Sequence, residues 1–283
     1  MRTTYQKLWP LLAALSVSQA GAVKVIVSFQ PLYDVVTRVA GGKAQVERAA
    51  PIGASPHTFD PTLRDIRRIK EADLAVMAGL GADAWLEKYV KSSGSKARVL
   101  KLGDSMTFNR RREGNATDPH WWLDASLMAQ AARRTGQELA ALDPGNAATY
   151  RANAEREARA LESLHAELKR TLAPVRGAKL VTFHNAFGYF ARAYGLEVAA
   201  TLAPVHGVEP SVQSMTRAVT TIRRTGAKAV FAEPQLPPGP ARTVAREAGV
   251  PLYTLDPEGS AQNPSYAGMM RANRDTLLRA FKR

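Results

Sequence analysis

Cysteine is absent from the 283 residues, and histidine occurs only five times. The lack of cysteine excludes a disulfide framework, thiolate metal sites and a lipid-modified N-terminal cysteine, so any membrane attachment would run through a protein partner. Long apolar runs are missing as well. The stretch Leu8 to Val17 follows Arg2 and Lys7 and precedes Ser18 to Ala22, mostly small residues. It is too short to span a bilayer and has the order of a secretory signal. Residues 1–22 are therefore expected to be a signal peptide, and the mature chain to be periplasmic or otherwise extracytoplasmic and not lipid-anchored.

Acids are scarce too: 25 Asp and Glu against 39 Lys and Arg give +14, or about +12 without residues 1–22. Such a balance raises the question of nucleic acid. The basic residues, however, are spread among acids on helix faces, and only Asn109-Arg110-Arg111-Arg112 forms a cluster. The expectation is a basic soluble surface and no nucleic-acid partner.

What is present is regular. From Val23, short β-branched runs alternate with amphipathic segments, the signature of βα units around a largely parallel sheet. Strands are expected at Val23 to Phe29, Gln45 to Ala50, Leu74 to Ala78 and Arg98 to Leu102. Helices are expected at Pro31 to Ala40 and Pro61 to Glu71, both with proline in the first turn, and at Ala84 to Val90. Ser105 to Asp118 has no apolar period and is taken as a loop, with a helix following from Ala125 to Leu142.

Asp143-Pro144-Gly145 opens a helical pattern that runs to Leu172, with Tyr150, Ala154, Ala158, Leu161, Leu164, Leu168 and Leu172 on one stripe. At about 1.5 Å per residue this is roughly 40 Å of helix, a stiff connector. The theme then repeats, with strands at Lys179 to Phe183, Glu197 to Thr201, Ala229 to Ala232 and Pro251 to Leu255. Helices are expected at Ala186 to Tyr194, Ser211 to Thr225, Ala241 to Glu247 and Tyr266 to Phe281. The fold class is thus α/β, two βα-type lobes with mostly parallel sheets joined by one long rigid helix: residues 23–142, 143–173 and 174–283.

His57, His120, His184 and Asp256 stand at loops or expected strand ends, where α/β sheets bind ligands. Three imidazoles and a carboxylate would satisfy tetrahedral zinc and are acceptable to manganese. Their separations of 63, 64 and 72 residues match no local zinc signature, so spacing leaves metal binding open beside ordinary hydrogen-bonded histidines. His165 has the surroundings of a packed helix residue, and His206 those of a loop residue that could edge a cleft. Glu233 is a candidate to hydrogen-bond a ligating imidazole, and Trp121, Trp122, Phe187 and Tyr189 to wall a site. Gly79-x-Gly81 lacks the rest of a dinucleotide fingerprint.

The local strings are more specific. Pro56 to Thr62, Asp118-Pro119-His120-Trp121-Trp122-Leu123-Asp124, His184 to Phe190 with Tyr194-Gly195-Leu196, Glu209-Pro210-Ser211, Phe231 to Gln235 and Leu255 to Gly259 follow one another along the chain. Together they resemble the zinc and manganese group of periplasmic solute-binding proteins of ABC transporters. The resemblance implies two lobes on a rigid helix, with the ion in the cleft between them held by His57, His120, His184 and Asp256. It implies a monomeric receptor, not an enzyme, that delivers a divalent metal to an ABC permease. A third imidazole at His184, where manganese-binding members often carry a carboxylate, favours Zn2+ over Mn2+. The loop Ser105 to Asp118 departs from the group, being short, basic and without histidine. A zinc hydrolase and a metal-dependent adhesin are the alternatives.

Overall fold

A computed structural model describes residues 21–114, 116–203 and 207–282. His206 and most of the expected signal peptide lie outside the described residues. The first sheet comprises β1 (Lys24–Val27), β2 (Gln45–Arg48), β3 (Leu74–Met77) and β4 (Arg98–Lys101), in the order β2-β1-β3-β4 and parallel throughout. Between them run α1 (Gln30–Ala40), α2 (Leu63–Lys70) and α3 (Ala84–Ser92), and the one-turn α4 (Leu102–Ser105) follows. The second sheet, also parallel, comprises β7 (Lys179–Thr182), β8 (Glu197–Thr201), β9 (Val230–Ala232) and β10 (Leu252–Thr254), in the order β10-β9-β7-β8. Its helices are α7 (Gly188–Tyr194), α8 (Val212–Thr225), α9 (Gly239–Ala248) and α10 (Tyr266–Phe281).

Between the sheets lie α5 (Ala125–Leu142) and α6 (Ala147–Thr171). The stripe expected along the connector is buried: Tyr150, Ala154, Ala158, Leu161, Leu164 and Leu168 all face inward. The connector is not isolated, because α5 packs closely along it. Gly136 makes that approach possible, since a Cβ there would meet Ala154 and lie 3.1 Å from the Tyr150 carbonyl oxygen. Pro144–Asn146 forms a separate 3-10 turn, so α6 begins three residues beyond the expected proline start. One continuous apolar core runs from Val25 and Leu74 through Leu139, Leu161 and Leu168 to Leu180, Phe231 and Leu277, joining both sheets through the helix pair.

Two other differences have local causes. At α2, Thr62 caps the helix in a capping box with Asp65, which moves the start past Pro61. Within the expected loop 105–118, β5 (Arg112–Glu113) and β6 (Ala116–Thr117) pair antiparallel. Among the described residues, no helix is long and apolar enough to cross a membrane.

Candidate metal centre

His57 follows β2 in a loop whose Ser55 hydroxyl accepts the His57 backbone N–H at 3.2 Å. His120 precedes a 3-10 turn, Trp121–Leu123, that leads into α5, where the Asp124 side chain caps the first turn. His184 leaves the end of β7, and its carbonyl accepts from the Thr182 hydroxyl and the Ala186 N–H, so the chain turns sharply before α7. His57 and His184 are thus fixed just beyond parallel strands, and His120 at the entry to the turn before α5, each by short-range bonds.

The three rings meet. His57 Nε2 and His120 Nε2 are 3.1 Å apart, His184 Nε2 and His120 Nε2 are 3.2 Å apart, and one nitrogen from each ring lies within 4.8 Å of the others. Tetrahedral donors at about 2.0–2.1 Å from a zinc ion stand about 3.4 Å from one another, so the observed spacing is close to what an ion would require.

The outward nitrogens of two rings, those of His120 and His184, face carboxylates. Asp118 Oδ1 accepts the His120 backbone N–H at 3.0 Å and lies 2.9 Å from Nδ1. Glu233 Oε1 accepts the His184 backbone N–H at 3.0 Å, and its Oε2 lies 2.6 Å from Nδ1. A carboxylate at Nδ1 keeps the proton there and leaves the Nε2 lone pair facing the other rings.

Asp256, expected as the fourth ligand, does not join the compact group of three. Its Oδ1 accepts from the Glu258 and Gly259 N–H groups and from Gln235 Nε2, closing the turn at 256–259. Asn273 clamps the backbone N–H and carbonyl of Asp256 at 2.8 and 2.7 Å. Asp256 Oδ2 is buried without a hydrogen-bond partner among the described residues. The neighbouring Glu258 approaches the histidines instead, with Oε1 3.6 Å from His57 Nε2 and accepting the Ser55 hydroxyl at 3.2 Å.

Burial, and then the charge of nearby Glu233, push the Glu258 carboxyl well above the usual carboxylate range, against the hydrogen bond from Ser55. Burial also raises Asp118, opposed by the His120 N–H and by Arg111. The carboxyls of Asp118, Glu233 and Glu258 are thus gathered behind and beside the histidines of a strongly basic chain, and a bound cation would offset the burial that favours the protonated forms of Asp118 and Glu258.

The aromatics expected to wall the site, Trp121, Trp122, Phe187 and Tyr189, are all fully buried, and the Trp122 ring lies 5.1 Å from that of His120. Trp122 Nε1 donates to the Pro257 carbonyl at 2.7 Å, tying the His120 segment to the 256–259 turn. His165 stands apart on α6, 3.2 Å from Asp124.

Sequence reasoning missed Asp118 and Glu258. The first had a signal, an acid two residues before a histidine with proline between them. The second had only adjacency, since Leu255-Asp256-Pro257-Glu258-Gly259 offers two acids and nothing local says which carboxyl turns inward.

Residues 25–280 match the family model described as ZnuA, zinc-uptake complex component A, periplasmic. The chain is 28% identical over 298 residues to the zinc-binding protein AdcA of Streptococcus pyogenes serotype M3, covering 95% of this chain but 58% of that one. It is 29% identical over 264 residues to the manganese-binding lipoprotein MntA of Halalkalibacterium halodurans, covering 90% of this chain and 87% of that one. The periplasmic zinc-binding protein TroA from Treponema pallidum has a similar structure, with a TM-score of 0.85 at 25% identity, over 92% of this chain and 99% of that one.

Proposed function

Because the chain belongs to the family of zinc-uptake complex component A, we propose that it is an extracytoplasmic receptor that captures a divalent transition metal, zinc foremost, and delivers it to an ABC permease. The observation that carries this reading is the convergence of His57, His120 and His184 Nε2 at 3.1 and 3.2 Å, with carboxylates behind two of the rings. Zinc is preferred to manganese because three imidazoles suit a borderline-soft ion better than a hard one.

The fourth donor is assigned to Glu258 in preference to Asp256. Neither acid joins the compact group of three, but Glu258 Oε1 lies 3.6 Å from His57 Nε2, whereas Asp256 Oδ1 is committed to its own turn and only its Oδ2 is left over. Four protein donors complete a tetrahedron and leave no position for an activated water, which supports holding over hydrolysis.

Release proceeds by small tilts and loop movement, since the core shared by the two lobes resists a wide hinge. The receptor works as a monomer, secreted through residues 1–22, with residues 23–142 and 174–283 as lobes around the connector. Two exposed apolar residues of the second lobe, Val208 on the loop leaving β8 and Val212 at the start of α8, and Leu63 at the start of α2 offer the permease a contact on each lobe. Purified protein stripped with a chelator should take up one zinc per chain and hold it against excess manganese. Stoichiometric manganese that zinc fails to displace would overturn the metal assignment.

A further inference from the structure

The short basic loop before His120 crosses from the first lobe onto α7 of the second. The Arg111 backbone N–H donates to Tyr189 Oη at 2.9 Å, and that hydroxyl donates to the Asp118 carbonyl at 3.2 Å. Arg192 of α7 donates to the Asn109 carbonyl at 2.8 Å and lies over the Tyr189 ring. The Arg111 guanidinium lies against Gly188, where a Cβ would sit 2.8 Å from Arg111 Cζ. Its Nε donates to Asp118 Oδ2 at 3.3 Å, while Oδ1 of the same carboxylate holds His120.

Arg111 therefore touches the supports of two candidate ligands at once. Through Asp118 it reaches His120, and through Gly188 it bears on the segment that leaves His184 four residues earlier. We propose that Arg111 is a positioning residue that sets His120 against His184 across the lobes and so controls how tightly the metal is held.

Charge and position pull in opposite directions, and magnitude decides between them. A guanidinium near a dication repels it, but the Arg111 side chain is 32% exposed, and at that exposure screening limits the effect to a few-fold. Loss of an outer partner of a ligating imidazole typically costs 10–100-fold in affinity. Positioning prevails, and removing Arg111 weakens binding.

This inference rests on the metal-receptor reading, and the test separates the two. Zinc affinity and dissociation rate, and the visible spectrum of the Co2+-loaded protein, are measured for wild type, Arg111→Ala, Arg111→Lys, Gly188→Ala and Arg111→Ala/Gly188→Ala. Zinc dissociation from Arg111→Ala is expected to be about tenfold faster, with an altered cobalt spectrum. Lysine, which keeps a donor for Asp118 but not the flat guanidinium, restores part of the loss. Gly188→Ala, which displaces the guanidinium, reproduces the loss alone and adds nothing to Arg111→Ala. Tighter binding in Arg111→Ala, wild-type behaviour in it, or full multiplication of the two effects in the double variant overturns the inference while leaving the receptor reading intact. A wild-type protein that binds neither zinc nor cobalt overturns both.

Discussion

Glu233 holds His184 at two points, taking its backbone N–H with one carboxylate oxygen and facing Nδ1 with the other at 2.6 Å. The imidazole is thereby oriented, with Nε2 turned toward His120. Glu233→Gln keeps the shape but removes the charge, so zinc affinity should fall about 10–100-fold with little change in fold. A competition titration against a zinc indicator, with circular dichroism alongside, checks this; unchanged affinity would mean that the contact is only structural.

The two acids of the 256–259 turn should separate by readout. Glu258→Gln should weaken zinc by at least about tenfold while the melting temperature of the metal-free protein holds or rises, because a buried carboxyl is replaced by a neutral amide. Asp256→Ala leaves the Glu258 and Gly259 N–H groups without their acceptor and should cost about 1–3 kcal/mol per buried group. If the two variants behave the other way round, Asp256 is the ligand.

Metal preference should turn on His184. His184→Glu replaces an imidazole with a hard oxygen donor and should shift the zinc-to-manganese affinity ratio toward manganese by about tenfold or more. Competitive loading followed by elemental analysis reads the ratio, and an unshifted ratio places selectivity elsewhere in the site.

Asp83 supplies a pH signature away from the centre. It is buried, it accepts the Ala78 and Gly79 N–H groups at 2.6 and 3.0 Å, and burial raises its carboxyl from 3.8 to about 6. A raised folded-state value means that the folded chain binds this proton more tightly than the unfolded chain. The contribution is full below the unfolded value of 3.8 and is lost as pH rises through about 6. Urea unfolding of the metal-free protein from pH 4 to 7, compared with Asp83→Asn, should show that slope only in wild type, with an amplitude of about 3 kcal/mol at most. Equal slopes would dismiss Asp83 as the source.

The strand and helix pattern was legible where a β-branched run is buried or a helix carries an apolar stripe, as Leu74 to Met77 and Tyr150 to Leu168 show. The three histidines were legible only through the strings around them, since no period relates residues 63 and 64 apart. The β5–β6 pairing escaped notice because two residues on each side are too few to alternate. The choice between Asp256 and Glu258 depends on which carboxyl a turn consumes, and that is set by Gln235 and by the turn's own N–H groups, 21 residues away and immediately adjacent. The connector helix was seen, but not its company. The small residues that let α5 lie against it, Gly136 and Ala154, have no period that would announce a partner.

The core that passes through this helix pair has a further consequence. Val25 and Leu277 belong to the same apolar cluster, although they stand in different lobes and near opposite ends of the described chain. Neither lobe can shed its partner without opening Leu139, Leu161 and Leu168 to water, so the halves have no separate life as folded pieces. Heat should melt the protein in one cooperative step, and a cut between the lobes should yield two insoluble fragments that regain structure only together.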